Sequence, residues 1–307
     1  MEKYLIDKSQ GWKNILKIII PYFLFVGISE LIGVYFAGLN ISNYKTFQET
    51  TEQLFTITFS GLVGTVLIVW LFRKYIDRKS FISVGFDKGF VVKDSLTGLA
   101  FGFTIMLVGF SCLMLTKQII FQSIQFEPAQ FILSIGLFIF VAISEELFLR
   151  GYVLNNLMIS FNKFGALIFS SVIFSLLHAP NPNFNFLGMI GLFVAGLFFG
   201  LAYIYTRSLW FPIALHFSWN FFQGTIFGFN VSGKDTYSLI VTKENVFTIW
   251  NGGNFGFEAS VLSILFQLIA IAIVFIIFKT RFETDTLPGT IDVAAATNSK
   301  SRVGIRQ

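Results

Sequence analysis

Among the ionisable side chains inside apolar segments of this sequence, five could do chemistry together. His178 and His216 are the only two histidines, and a third apolar segment carries Glu145, Glu146 and Arg150. Ionisable groups are costly in hydrocarbon, so residues of this kind indicate a functional site. Carboxylates and imidazoles are also the groups that enzymes use to take a proton from water and to return it to a leaving group. The residues therefore predict a water-activating site inside an apolar environment.

Glu145 and Glu146 are predicted to have different surroundings. Glu146 and Arg150 lie four residues apart, so they share one face of a helix and can form an ion pair. That pair has two interpretations, a supporting element of the site or a buried salt bridge that only fixes helix packing. Glu145 lies about 100° around the helix from Glu146, and no basic residue is spaced to pair with it. An unpaired carboxylate in apolar surroundings is a candidate general base or acid.

The two histidines follow apolar runs of their own. His178 ends the run that contains Phe174, and His216 and Asn220 are four residues apart on one helix face. At about 1.5 Å per residue, Glu145, His178 and Asn220 each lie about 20 Å from the same end of their segments. Three separate helices thus bring their polar groups to one layer, which random placement of buried polar residues would not require.

The composition defines the elements that must position these residues. Hydrophobic residues make up 54% of the 307 residues, charged residues make up 13%, and Phe alone occurs 41 times. A soluble domain carries roughly twice that charged fraction, so we interpret the chain as a polytopic membrane protein. The single cysteine, Cys112, cannot form an internal disulfide. The net charge of +5 is spread over membrane-flanking loops, which favours a topology signal over a nucleic-acid partner.

The fold class predicted is all-α, a membrane helix bundle with about eight transmembrane helices. About twenty apolar residues span a bilayer. By that criterion the predicted spans are 14–39, 54–72, 95–115, 131–158, 164–179, 186–205, 209–227 and 259–278. We expect four regions, namely helices 1–3 in residues 1–125, a catalytic core in 126–228, an outer loop with helix 8 in 229–280, and a disordered cytoplasmic tail in 281–307. Glycines 188, 191, 196 and 200 in the sixth span predict close helix packing.

The loop charges predict that both termini are cytoplasmic. Of the 22 lysines and arginines, 17 lie in the predicted cytoplasmic segments, four lie in the outer loops, and Arg150 is intramembrane. Cytoplasmic loops carry an excess of Lys and Arg. We therefore expect a multi-pass protein of the cell membrane with an even number of spans.

Three motifs on separate predicted spans resemble the signature motifs of the CPBP intramembrane proteases. This family includes the type II CAAX prenyl endopeptidases, the bacterial Abi putative immunity proteases and the lysostaphin-resistance-like proteins. The resemblance covers about residues 130–225. The motifs are Glu145-Glu146-x-x-x-Arg150, Phe174-x-x-x-His178 and His216-x-x-x-Asn220.

The resemblance implies proteolysis within the membrane. Glu145 would be the base that activates water, assisted by His178, and His216 and Asn220 would stabilise the oxyanion. Glu146 would support these catalytic groups by orientation and charge pairing. Arg150 of the same motif and Phe174 of the second motif would be further supporting residues. The chemistry of His216 and Asn220 supports their part of this assignment, because an imidazole N–H and an amide can both donate to a developing oxyanion.

A zinc ion is the open question about cofactors. Glu145, His178 and His216 form a carboxylate and two-histidine set of the kind found at catalytic zinc sites. A metal-free glutamate mechanism uses the same residues, and the helical His-Glu-x-x-His motif is absent. We favour a mechanism with no bound metal, and zinc stays an alternative.

The sequence therefore predicts an intramembrane endopeptidase that acts on a membrane-associated or lipidated protein or peptide. We expect the substrate to enter laterally or from a membrane-embedded cavity, because the polar layer is far from either surface. One alternative is a catalytically idle scaffold or immunity protein that binds other membrane proteins through its Phe-rich faces. The other is a proton-coupled transporter, which is less favoured because the sequence has no internal repeat.

Overall fold

The computed structural model describes residues 8–40, 49–86, 89–244 and 248–284, and this part of the chain is mostly helical. A helix satisfies its own backbone hydrogen bonds, as a segment in hydrocarbon must. The predicted helical fold is therefore confirmed in its main feature. The helices are α1 (Ser9–Phe36), α2 (Thr51–Leu71), α3 (Val91–Leu115), α4 (Pro128–Glu146), α5 (Asn155–Ser160), α6 (Lys163–Leu177), α7 (Phe186–Thr206), α8 (Trp210–Asn220) and α9 (Val261–Thr284).

Three of the helices continue as π-helices. Phe72–Ile76 follows α2, Leu147–Leu154 joins α4 to α5, and Phe221–Ile226 follows α8. The second of these makes Pro128–Ser160 one continuous helical segment of 33 residues. π-Helical turns are rare and occur frequently at functional sites. Two of the three begin directly after the predicted site residues Glu146 and Asn220.

Five helical segments of the described chain are long and apolar enough to cross a membrane. They are Ser9–Phe36, Thr51–Ile76, Val91–Leu115, Pro128–Ser160 and Phe186–Thr206. Two further apolar helices, Lys163–Leu177 and Val261–Ile277, are shorter. The multi-pass character of the chain is confirmed, whereas the predicted number of about eight spans stays a prediction. Helix α9 runs on to Thr284, so the predicted tail begins inside this helix, and its remaining residues lie outside the described part.

A two-stranded sheet in the described part of the chain departs from the all-α prediction. Strand β1 (Ile119–Ile124) follows α3, and strand β2 (Ile240–Glu244) precedes α9. The strands pair antiparallel, with Ile119 opposite Glu244 and an irregularity between Phe121 and Ser123. Each strand is too short for its sequence pattern to distinguish it from a loop. Its partner strand is more than a hundred residues away in the chain. The sheet forms because tertiary structure brings two loops together at one end of the bundle.

Small residues let the helices approach closely, as predicted for α7. A Cβ at Gly196 would lie 2.8 Å from the Cα of Ser171 on α6, and one at Gly191 would lie 1.9 Å from the carbonyl oxygen of Glu258. Gly188 and Gly200 likewise face the side chains of Phe255 and Leu167. The α3–α8 pair uses glycine in the same way, since a Cβ at Gly98 would lie 2.5 Å from the carbonyl oxygen of Phe211. Close packing of these helices fixes the distances between the site residues that they carry.

Candidate active site

The two glutamates end α4 and have different exposures. The side chain of Glu146 is fully buried, whereas that of Glu145 is 31% exposed. The helical offset between adjacent residues turns Glu146 into the bundle and Glu145 towards a cavity. The difference in surroundings predicted from the sequence is therefore present in the structure.

Glu146 is the centre of a buried charged network. Its Oε1 accepts a hydrogen bond from Arg150 Nη1 at 2.9 Å, which is the predicted i, i+4 ion pair. The same oxygen lies 2.8 Å from His216 Nδ1, 70 residues further along the chain. Since a carboxylate oxygen only accepts, the Nδ1–H of His216 is the donor. The network therefore joins the first motif to the third and fixes the orientation of the His216 ring.

Aromatic rings enclose the arginine and the histidine of this network. The Arg150 guanidinium lies over the Phe174 ring at 4.5 Å and near the Phe199 ring at 5.3 Å. Its Nη2 donates to the carbonyl of Gly196 at 3.3 Å. Phe199 stacks on His216 with ring centroids 4.9 Å apart. Cation–π contacts of this kind stabilise a cation that has lost its water.

His178 is the C-cap residue of α6, directly after the last helical turn. Its Nδ1 lies 2.8 Å from the carbonyl oxygen of Phe174, so Nδ1–H donates and Nε2 is left to face the cavity. That Nε2 lies 3.7 Å from Glu145 Oε2, and the Nε2 of His216 lies 4.0 Å from the same oxygen. The two imidazoles thus converge on one carboxylate oxygen. This oxygen is buried and accepts no hydrogen bond from the described protein atoms.

Asn220 completes the set of predicted residues. It is the buried last residue of α8, one turn after His216, and it lines the same cavity as Glu145 and His178. The single polar layer predicted from the helical rise is present, since α4, α6 and α8 all bring side chains to this cavity. All seven predicted site residues therefore meet in one region of the bundle.

The cavity has a volume of about 490 Å³ and extends well beyond the three motifs. Tyr22 of α1 and Thr65 of α2 form part of its wall, and Ser232, Lys234 and Glu258 line it from the loop between α8 and α9. Sequence reasoning missed all five of these residues. Tyr22 and Thr65 carry no signal, because only tertiary packing brings α1 and α2 to the site. Glu258 had a weak signal, as an acidic residue directly before the last apolar segment.

Glu258 anchors this loop from inside the protein. Its carboxylate accepts hydrogen bonds from Gln223 Nε2 at 2.5 Å, from Ser232 N at 3.0 Å and from Ser232 Oγ at 2.9 Å. The side chain is buried. Burial raises the pKa of Glu258 to about 7, although the donated hydrogen bonds act in the opposite direction. The anchor therefore ties Ser232 of the loop to Gln223, in the π-helical turn that follows α8.

The predicted zinc ligands do not fit a zinc ion as the structure has them. Glu145 Oε2 is 3.7 Å and 4.0 Å from the Nε2 atoms of His178 and His216. Ligand atoms about 2 Å from a tetrahedral zinc lie roughly 3.4 Å from one another. Within the described part of the chain, no group of three or more His, Cys, Asp or Glu side chains is arranged to hold a metal ion. None of the steps that we propose for the reaction therefore involves a metal ion.

Residues 127–222 match the family described as type II CAAX prenyl endopeptidase Rce1-like. The match covers less than half of the chain, and it contains all three motifs and lies within the predicted core, 126–228. The predicted resemblance to the CAAX proteases is therefore confirmed over these residues. The comparison with curated proteins found no match, and the comparison with solved structures found none either.

Proposed function

We propose that the protein is an intramembrane endopeptidase that hydrolyses peptide bonds of a membrane-associated or lipidated substrate. One observation carries the proposal: the Nε2 atoms of His178 and His216 converge on Glu145 Oε2 at the wall of a cavity. The Rce1-like match over residues 127–222 supports the same activity. A cavity of about 490 Å³ is large enough for a short peptide segment.

In the proposed first step, Glu145 removes a proton from water. The 3.7 Å gap between Glu145 Oε2 and His178 Nε2 is too long for a direct hydrogen bond. A water molecule about 2.8 Å from each atom would bridge them. The bond from His178 Nδ1 to the Phe174 carbonyl leaves Nε2 free to orient this water. The water oxygen then attacks the peptide carbonyl carbon as its proton moves to the glutamate.

The oxyanion formed by this attack would be stabilised by His216 and Asn220. With Nδ1–H directed at Glu146, His216 donates to the oxyanion through Nε2–H, and Asn220 donates through its amide. This role requires His216 to carry a proton on both ring nitrogens, and the positive charges of His216 and Arg150 would then balance the negative charges of Glu145 and Glu146. The buried network then carries no net charge, which lowers the cost of keeping it in hydrocarbon.

Collapse of the tetrahedral intermediate breaks the C–N bond. The proton that Glu145 took from water moves to the leaving nitrogen, so the products are a new carboxyl terminus and a new amine. Glu145 returns to its ionised form for the next cycle. No covalent intermediate with the protein is required.

The test is cleavage of a fluorogenic, lipidated peptide by the full-length protein in detergent. Wild type is compared with His178→Ala and with the control Glu127→Gln, an exposed glutamate at the start of α4. Each is assayed with a strong chelator and with added zinc. Cleavage that is lost in His178→Ala, kept in the control and kept in chelator supports the proposal. Cleavage that needs zinc would overturn the metal-free mechanism, and unchanged cleavage by His178→Ala would overturn the role of this histidine.

A further inference from the structure

The two ends of the helical bundle differ in charge. At one end, Asp77 bonds to Arg73 Nη1 at 2.9 Å and to Asn14 Nδ2 at 2.7 Å, and Trp12 N donates to Ser160 at 2.9 Å. These contacts join the start of α1, the end of α2 and the end of α5, and they define what we call the basic end. The chain segments at this end carry Lys8, Lys13, Lys17, Arg73, Lys74, Arg78, Lys79, Lys93, Lys163 and Arg207.

The opposite end, which we call the strand end, carries few basic residues. It holds the β1–β2 sheet and the start of α4, whose Glu127 N–H donates to the hydroxyl of Tyr237 at 2.9 Å. In the described part of the chain its basic residues are Lys117, Lys234 and Lys243. Cytoplasmic segments carry the excess of Lys and Arg in membrane proteins. The difference between the two ends therefore indicates that the basic end is cytoplasmic.

The candidate active-site cavity extends from the middle of the bundle towards the strand end. Helix α6 starts at the basic end with Lys163, and its 15 residues rise about 22 Å before His178. The lining residues 22–30 of α1 and 54–65 of α2 lie mostly in the halves of these helices nearer the strand end. The lining residues 192–199 of α7 and 216–220 of α8 lie near the middle of the bundle.

The rim of the cavity points in the same direction. Lys234, which lies in the loop between α8 and α9 at the strand end, lines the cavity with a side chain that is 46% exposed. Asn181 lines it from the loop that joins α6 to α7, which also lies at this end. None of the described residues that form the contacts of the basic end lines the cavity. The described polar rim of the cavity therefore lies at the strand end.

We propose that the active site opens to the non-cytoplasmic side of the membrane and acts on peptide segments presented from that side. The substrate part of this inference rests on the proposed endopeptidase function, whereas the orientation does not. A substrate kept in the cytoplasm would have to pass the buried network of Glu146, Arg150 and His216 to reach Glu145. The substrate class that fits is the exported or outward-facing part of a membrane-associated peptide.

Cysteine labelling tests the orientation without any activity. In a Cys112→Ser background, single cysteines replace Gln122 on β1, Asn181 at the cavity and Lys79 at the basic end. Intact cells that express the full chain are treated with a membrane-impermeant maleimide. We expect labelling of Gln122→Cys and Asn181→Cys in intact cells, and of Lys79→Cys only after permeabilisation. Labelling of Lys79→Cys alone in intact cells would overturn the proposal.

Sealed membrane vesicles test the substrate side. A fluorogenic lipidated peptide with a charged, impermeant head is added to right-side-out and to inverted vesicles that hold equal amounts of protein. We expect cleavage at least 10-fold faster in right-side-out vesicles, and detergent should remove the difference. Faster cleavage in inverted vesicles would contradict the proposed face. If the protein does not cleave even in detergent, the endopeptidase function fails, and cysteine labelling still decides the orientation.

Discussion

Arg150 is the position at which the structure makes its strongest prediction about stability. Its guanidinium is buried, donates to Glu146 at 2.9 Å and to Gly196 at 3.3 Å, and lies 4.5 Å from the Phe174 ring centroid. Arg150→Met keeps most of the side-chain volume, but among the described residues it leaves the Glu146 carboxylate with His216 as its single donor. Removal of one partner of a buried ion pair costs about 3–5 kcal/mol. That loss corresponds to a roughly 150- to 4000-fold change in the unfolding equilibrium.

The double variant Glu146→Gln/Arg150→Met separates the cost of an unpaired charge from the cost of altered packing. Replacement of a buried ion pair by uncharged residues of similar volume is often neutral. We therefore expect Glu146→Gln/Arg150→Met to be more stable than Arg150→Met by at least about 2 kcal/mol, even though both lose activity. Arg78→Met, at an exposed position of the basic end, is the matched control and should change stability by less than about 0.5 kcal/mol.

The assay is reversible unfolding of each variant in mixed detergent micelles with increasing SDS, followed by circular dichroism and tryptophan fluorescence. Two results would refute the reasoning. One is an Arg150→Met variant as stable as the wild type, and the other is a double variant as unstable as Arg150→Met. Either would mean that the ion pair with Glu146 does not carry the stability that its burial requires.

Three further predictions concern Glu258, Gly191 and Asn220. Because burial raises the pKa of Glu258 to about 7, the folded state favours the neutral form of this side chain. The stability of the wild type relative to Glu258→Gln should therefore fall by up to about 3 kcal/mol as the pH rises from about 4.5 to 7. A difference between the two unfolding midpoints that does not change with pH would contradict this. Gly191→Ala should destabilise the fold by about 1–3 kcal/mol, because the new Cβ would lie 1.9 Å from a backbone oxygen. Gly27→Ala should be neutral or stabilising, because a Cβ there has nothing within 4 Å. Equal unfolding midpoints for these two variants would show that close packing at Gly191 does not limit stability. Asn220→Ala should lower kcat about 10²–10³-fold with little change in KM, and a change in KM alone in steady-state kinetics would indicate a role in substrate binding instead.

Local spacing explains what could be predicted from the sequence. The i, i+4 relation placed Glu146 and Arg150 on one helix face, and the same relation placed His216 and Asn220 together. The constant rise of a helix then brought the motifs to one depth in the membrane. These predictions depend only on helical geometry, so they needed no knowledge of how the helices pack.

The contacts that could not be predicted join residues far apart in the chain. The bond between Glu146 and His216 spans 70 residues, and Phe199 reaches the His216 ring from another helix. Tyr22 lines the cavity only because α1 packs beside the core. The strands at Ile119–Ile124 and Ile240–Glu244 each satisfy the other's backbone groups. Periodicity within one segment carries no information about such partners.

The proposed mechanism depends on Glu145 as the group that takes a proton from water. The most direct measurement compares Glu145→Gln with the wild type in three quantities: cleavage rate, peptide affinity and unfolding midpoint. Since Glu145 is 31% exposed and its Oε2 accepts no hydrogen bond from the described protein atoms, peptide affinity should be unchanged. The unfolding midpoint should change much less than in Arg150→Met, because Gln removes a partly exposed charge and no hydrogen bond of the buried ion pair. The cleavage rate should fall about 10²–10⁴-fold. A variant that binds and cleaves the peptide as the wild type does would contradict the role of Glu145 as the base.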